Sequence, residues 1–177
     1  MAVVDWLSRD SVDGIDSGRL AVFGDSAGGN LAAVLAHSVS GRRALRGQLL
    51  IYPVLDVSRT WPSFEFSGRG YFLDVTTLDW FAELYARMPD DLQDPRMSPL
   101  LEADLRGVPA TCLLVPEFDI NRDEVFVYAS RLQAAGVDVE VRHYPHLPHG
   151  FASMAGYITA GCRALDDGAA ALRRMLA

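Results

Sequence analysis

Apolar residues fall in short unbroken runs separated by turn residues. Arg19 to Asp25 (RLAVFGD), Gln48 to Pro53 (QLLIYP) and Ala110 to Pro116 (ATCLLVP) are such runs. Each predicts a strand buried on both faces. Pro53 closes the second, because proline has no N–H for a ladder. Ala27 to Ser40 has helical composition and stops before Gly41. Arg122 to Ala135 predicts another helix, ended by Gly136 just past its C-cap. Val137 to Tyr144 (VDVEVRHY) alternates apolar and polar residues, the pattern of a half-exposed edge strand. Tyr157 to Leu176 predicts a last helix, with Arg173 and Arg174 where cations favour the helix dipole. Met1 to Leu7 reads as the end of an amphipathic helix, with turn residues from Ser8 to Gly18. Near-continuous strands alternating with helices predict a single α/β domain over residues 1–177. Its sheet should be mostly parallel, with about four strands and flanking helices. In such folds ligands sit at the carboxyl ends of the strands.

Residues 56–105 break this rhythm. The segment holds Trp61, Phe64, Phe66, Tyr71, Phe72, Trp80, Phe81 and Tyr85, several prolines, and a predicted helix from Thr76 to Arg87. An aromatic-rich excursion between strands predicts a cap or binding wall, or a satellite core under a long loop.

Composition narrows the function classes. Half of the 177 residues are hydrophobic and the net charge is −7. Apolar content is too high for disorder. An acidic balance without a basic stripe argues against nucleic acid. The longest apolar run, Leu49 to Leu55, is too short to span a membrane. No basic stretch followed by an apolar one opens the sequence. Cys112 and Cys162 lack metal-like spacing and read as two buried thiols, though the sequence leaves a disulfide between them open. The expected compartment is cytoplasmic.

The chemistry centres on Gly24-Asp25-Ser26-Ala27-Gly28, a G-x-S-x-G with an apolar strand before it and a helix after it. That context predicts a nucleophile elbow, with the glycines removing side chains that would collide around the serine. The alternative is a Gly-rich turn with Ser26 as a helix cap. Neither G-x-G-x-x-G nor GK[ST], the phosphate-binding patterns, occurs in the sequence. A serine nucleophile needs a base. Of the four histidines, His37 lies too far along the elbow helix and His143 lies within the last strand. His146 and His149 fall in the loop beyond that strand. His149, followed by Gly150, is the favoured base and His146 the second. The base needs an orienting carboxylate. Asp119, just after the third strand, is favoured over Glu117, Asp123 and Glu124, the last two reading as helix-start acids. The order Ser, Asp, His is that of one class of hydrolase folds and not of the others.

With these residues in view, the sequence resembles the hormone-sensitive-lipase-type carboxylesterases of the α/β-hydrolase superfamily. Gly24 to Asn30 matches that family's G-D-S-A-G-G-N. Leu50-Ile51-Tyr52-Pro53 with Asp56, then Tyr71-Phe72-Leu73, Asp79-Trp80-Phe81 and Ser98-Pro99-Leu100, resemble its following segments. Glu117-Phe118-Asp119 with Arg122-Asp123-Glu124 resembles its E-x-D-P-L-R-D-E, and His149-Gly150-Phe151 its H-G-F. Ile120 and Asn121 depart from the family's Pro-Leu, a change expected to loosen the acid loop.

The resemblance implies a partial α/β-hydrolase fold with residues 56–105 as a cap-like insertion. It also implies hydrolysis of short acyl esters by Ser26, His149 and Asp119 without metal or cofactor. The Ala27 N–H would be an oxyanion donor, and Phe72 and Leu73 would line the substrate pocket. The family's H-G-G-G oxyanion segment does not occur in these residues. The chain is therefore expected to be a weak or inactive esterase alone, and to need a second copy or an N-terminal segment to cover its first strand. A homodimer through the Val137 to Val141 edge is a further expectation. The competing expectation is a non-catalytic binder or remnant, as in the similar gibberellin receptors. The presence of His149 speaks against it, because those receptors lack the catalytic histidine.

Overall fold

The computed structural model describes residues 2–9, 12–41, 45–58 and 61–177. Met1 of the predicted first helix, Asp10 and Ser11 of the predicted turn, and Arg59 and Thr60 of the aromatic-rich stretch lie outside the described residues. The elements run α1 (Ala2–Arg9), β1 (Ala21–Asp25), α2 (Ala27–Ser38), β2 (Gly47–Ile51), α3 (Ser63–Ser67), α4 (Val75–Tyr85), β3 (Ala110–Phe118), α5 (Arg122–Ala134), β4 (Val139–Pro148) and α6 (Thr159–Leu176). Single turns of 3₁₀ helix lie at Pro89–Gln93, Pro99–Leu101 and Phe151–Met154.

The four strands form one sheet in the order β1-β2-β3-β4, and all three pairings are parallel. Alternation along each strand divides the core in two. Leu50, Leu113 and Val115 point to the face covered by α2 and α5, where they meet Ala32, Ala33, Tyr128, Ala129 and Leu132. Leu49, Ile51, Cys112 and Leu114 point to the opposite face and pack on Ala164 and Ala171 of α6. Both faces are thus covered, which is why β2 and β3 read as unbroken apolar runs. A smaller core holds Val54, Val57, Leu78, Ala82, Met97 and Ile120 under the excursion between β2 and β3. It unites the satellite core with the cavity wall described below.

Two expectations change. Cys112 is buried, but Cys162 is exposed, and both thiols are free. Burial pushes the Cys112 thiol up to about 12, so it is an inert core residue. The last strand is also longer than its alternation suggests. β4 continues to Pro148 through an irregularity, with Pro116 opposite Tyr144 but Phe118 opposite Pro148. His146 therefore lies within β4 and not in the loop beyond it, and its side chain is exposed. No helix among the described residues is long and apolar enough to cross a membrane.

Candidate active site

Ser26 stands between the last residue of β1 and the first of α2. Its backbone has φ 52 and ψ −119, a region that costs a non-glycine residue roughly 1–3 kcal/mol. The surroundings hold it there. Its N–H donates to Ile51 O at 2.9 Å, and its carbonyl accepts the N–H groups of Asn30 at 3.1 Å and Val54 at 3.3 Å. The Ser26 side chain makes no capping bond to α2, so the cap alternative fails and Oγ is free to face the site.

The two motif glycines are not equivalent. A Cβ on Gly24 would stand 2.2 Å from Gly28 O, whereas one on Gly28 would meet only Asp25 Oδ1 at 3.9 Å. The second crowded position is instead Gly29, where a Cβ would lie 2.8 Å from Pro53 Cβ. Gly28 contributes its carbonyl to the tight turn rather than room for its own side chain.

The acid and the base arrive on neighbouring strands. Asp119 directly follows β3. His149 directly follows β4, and its N–H donates to Phe118 O at 3.1 Å. The β3–β4 ladder thereby sets His149 beside the residue that precedes Asp119. Gly150 has φ 78, a left-handed turn that glycine adopts at least cost. It diverts the chain into the 3₁₀ turn that buries Phe151.

In the assembled site, Asp119 Oδ2 lies 2.9 Å from His149 Nδ1, and His149 Nε2 lies 2.9 Å from Ser26 Oγ. Asp119 is 1% exposed and His149 5%. Asp119 Oδ1 is itself fixed by the Asn121 N–H at 2.9 Å. With Nδ1–H donating to Asp119, Nε2 is left as the acceptor of the serine proton. The buried pair faces a partly open Ser26, a constellation able to deprotonate a hydroxyl and hold the resulting imidazolium.

The remaining candidates are engaged elsewhere. Glu117 accepts from Arg122 Nη1 at 2.6 Å and pairs with His143 Nε2 at 2.7 Å. Asp123 accepts the Ser63 N–H at 2.9 Å and Arg122 Nε at 2.9 Å. His37 pairs with the Tyr128 hydroxyl at 2.7 Å between α2 and α5. Burial lowers its pKa to about 4, leaving it a neutral core group. Of the two departures from the family pattern in the acid loop, Ile120 is anchored, while the buried Asn121 side-chain amide group has no hydrogen-bond partner among the described residues. Ile120 is buried in the small core, and its carbonyl accepts the Ser63 hydroxyl at 2.6 Å.

An apolar cavity of about 360 Å³ opens beside Ser26 and Ala27. Val54, Val57, Leu73, Leu78, Ala82 and Met97 form much of its wall. Leu73 is thus where the resemblance implies. Phe72 does not line this cavity. It has φ 69, and its ring lies against Gly150, with Cε1 2.8 Å from where a Cβ would stand.

Two supporting residues went unread in the sequence. Asn30 Nδ2 donates to Val54 O at 2.9 Å and Met97 O at 2.8 Å, tying the elbow helix to the excursion. Glu124, read as a helix-start acid, is fully buried, and its Oε1 accepts the Leu55 N–H at 2.6 Å. Neither bond joins residues at a periodic spacing, so pattern alone could not show them. Burial raises the Glu124 pKa well above the ordinary carboxylate value. A carboxyl raised in this way keeps a proton that the unfolded chain has released. It contributes stability fully below the unfolded pKa, and that stability is lost as pH rises toward the folded pKa. Glu124→Gln should therefore gain on the parent chain in urea unfolding as pH rises above the ordinary carboxylate range. Parallel midpoints over that rise would show that Glu124 is ionised in the fold.

A parallel sheet, a strained serine at the first strand–helix turn, and an acid and histidine after later strands define an α/β hydrolase. The match to known proteins agrees, for the family model described as alpha/beta hydrolase fold covers residues 1–153. The chain belongs to that family. Ethyl acetate hydrolase of Pseudomonas putida is 43% identical over 82% of this chain and 46% of its own length. Carboxylesterase NlhH of Mycobacterium tuberculosis is 37% identical over 99% of this chain and 57% of its own. Among solved structures, the thermostable carboxylesterase EstE1, cloned from a metagenomic library, superposes with a TM-score of 0.94 at 36% identity. That superposition covers 99% of this chain and 62% of EstE1. The chain thus spans about half the length of the curated relatives it matches.

Proposed function

We propose that the chain carries the catalytic machinery of a carboxylic ester hydrolase. The carrying observation is the continuous relay from Asp119 Oδ2 through His149 to Ser26 Oγ, each contact at 2.9 Å. Ser26 Oγ attacks the ester carbonyl while His149 Nε2 takes its proton, forming the new C–O bond and a tetrahedral oxyanion. Collapse expels the alcohol, which receives that proton from His149. Water, deprotonated by the same imidazole, then releases the carboxylic acid and frees Ser26. Asp119 holds the histidine's tautomer throughout. The Ala27 N–H, at the first position of α2, is the oxyanion donor. Metal and cofactor have no step to perform. The apolar cavity at Ser26 favours an uncharged ester with short hydrocarbon groups, with Leu73 on its wall and residues 56–105 acting as the cap.

Relatives about twice as long as this chain and the lack of an H-G-G-G segment in these residues support a further part of the reading. With one helix-borne donor, turnover by this chain alone is weak. One missing oxyanion donor typically costs ~10²–10³ in rate. The β1 edge carries Phe23 at 67% exposure and, among the described residues, pairs with β2 alone. It would be covered by an N-terminal segment or by a second copy.

The test is intact-protein mass spectrometry after exposure to a small organophosphate ester, with Ser26→Ala as control. The expected result is a single phosphoryl adduct that the control lacks. A folded protein that forms no adduct, or the same adduct on the control, overturns the reading.

A further inference from the structure

Tyr52 contacts both His149 and Asp25, the residue just before Ser26. It sits just past β2, between the serine turn and the histidine turn, and is wholly buried. Its backbone is held at φ 38, with its N–H donating to Leu114 O at 2.9 Å. A tyrosine kept in that conformation has no freedom to leave. Its ring centroid lies 4.6 Å from that of His149, tilted by 50°. It meets Phe151 edge-on at 5.0 Å. Its hydroxyl donates to Asp25 Oδ2 at 3.3 Å, in the residue just before Ser26, and the Ala152 N–H approaches the same oxygen. One side chain therefore joins residue 25 to residues 149, 151 and 152.

We infer that Tyr52 is a positioning residue: its hydroxyl clamps the histidine turn onto the serine turn, and its ring stabilises the imidazolium formed at His149. This inference rests on the ester-hydrolase reading for its use in a reaction, though not for its geometry. The attraction of a cation to an aromatic ring extends to about 6 Å from the centroid and strengthens when water is excluded. Both conditions hold here. The charged groups on this side of the site are Asp119 and, beyond the phenol, Asp25. Asp119 fixes Nδ1, while Tyr52 supports the ring from a separate strand. The neutral phenol is the working form, because burial and the nearby Asp25 hold its proton firmly.

Two substitutions separate the ring from the hydroxyl. Tyr52→Leu keeps the site apolar and dry but removes the π face. The His149 titration midpoint, followed by imidazole NMR, is expected to fall by about half a pH unit. Tyr52→Phe keeps the ring, so that midpoint should stay near the parent's. It frees the Ala152 N–H, whose hydrogen exchange should quicken by about tenfold. The maximal rate of Ser26 phosphorylation by the organophosphate should fall by about tenfold, with half-saturation unchanged. An unchanged midpoint in the leucine variant overturns the ring's role. Unchanged Ala152 exchange in the phenylalanine variant overturns the clamp, and does so even if the leucine variant fails to fold. If Ser26 of the parent chain takes no phosphoryl group, the hydrolase reading fails, while the NMR and exchange results still decide the role of Tyr52.

Discussion

Asparagine in place of Asp119 is expected to slow ester turnover by about 10⁴-fold, the loss that follows when a triad histidine is locked in the wrong tautomer. The local hydrogen bonds dictate the direction. Asp119 Oδ1 accepts the Asn121 N–H, and Oδ2 faces His149 Nδ1. An amide at residue 119 can satisfy the Asn121 N–H only with its oxygen, so its NH₂ group must face the imidazole. Nδ1 then becomes an acceptor, and the ring proton moves to Nε2. That nitrogen now points an N–H at Ser26 Oγ and cannot take the serine proton. The fold is untouched, since the side chain keeps its shape. The check is the rate of p-nitrophenyl acetate hydrolysis or, where turnover is slow, of Ser26 phosphorylation, alongside thermal unfolding. A variant within tenfold of the parent would mean that Asp119 does not set the tautomer.

The second large effect is expected at Gly24, and its contrast with Gly28 makes it informative. Gly24→Ala places a methyl 2.2 Å from a backbone oxygen of the elbow. No rotamer relieves that clash, because both partners are fixed. The turn must open, at a cost of about 3 kcal/mol in stability. The displaced Ser26 should also lose its organophosphate adduct. Gly28→Ala adds the same methyl in an uncrowded position inside α2, where alanine outranks glycine by about 1 kcal/mol in helix propensity. Its stability should hold or rise. Urea unfolding of the two variants side by side is the measurement. Equal losses would mean that the elbow is not packed as described.

The large features were legible in the sequence for a physical reason. Strands buried on both faces leave unbroken apolar runs, so β2 and β3 announced themselves; β1 reads the same way but is an edge strand, half-buried with Phe23 exposed, so its expected burial on both faces fails. A serine turn needs glycine at close approaches, so its place was visible as well. Ser26, Asp119 and His149 were singled out because each falls at the carboxyl end of a strand, and the structure brings Asp119 and Ser26 each within hydrogen-bond distance of His149. What remained hidden depends on contacts without a period. The irregularity in β4 kept His146 in the strand, although the alternation of apolar and polar residues was read only to Tyr144. The motif marked Gly28 as crowded, whereas the neighbour that fills the space at Gly29 is Pro53, 24 residues away in the chain. Phe72 and Leu73 are adjacent in sequence, yet only Leu73 reaches the cavity wall. Tyr52, Asn30 and Glu124 act through single bonds to distant backbone or side-chain groups, which neither composition nor alternation records.

The strand order has a consequence for synthesis. Because the sheet is laid down in chain order, each new strand docks on one already made, and none must be threaded between earlier neighbours. Folding from the N-terminus as the chain emerges is compatible with that plan. The reactive groups appear in the same sequence: the serine turn after the first strand, the carboxylate after the third, the imidazole after the fourth. Between Ser26 and His149, 123 residues apart, a nascent chain therefore carries an unactivated hydroxyl. On the ester-hydrolase reading its base arrives only when β4 pairs, so a premature stop before His149 would leave a serine that has never been a nucleophile.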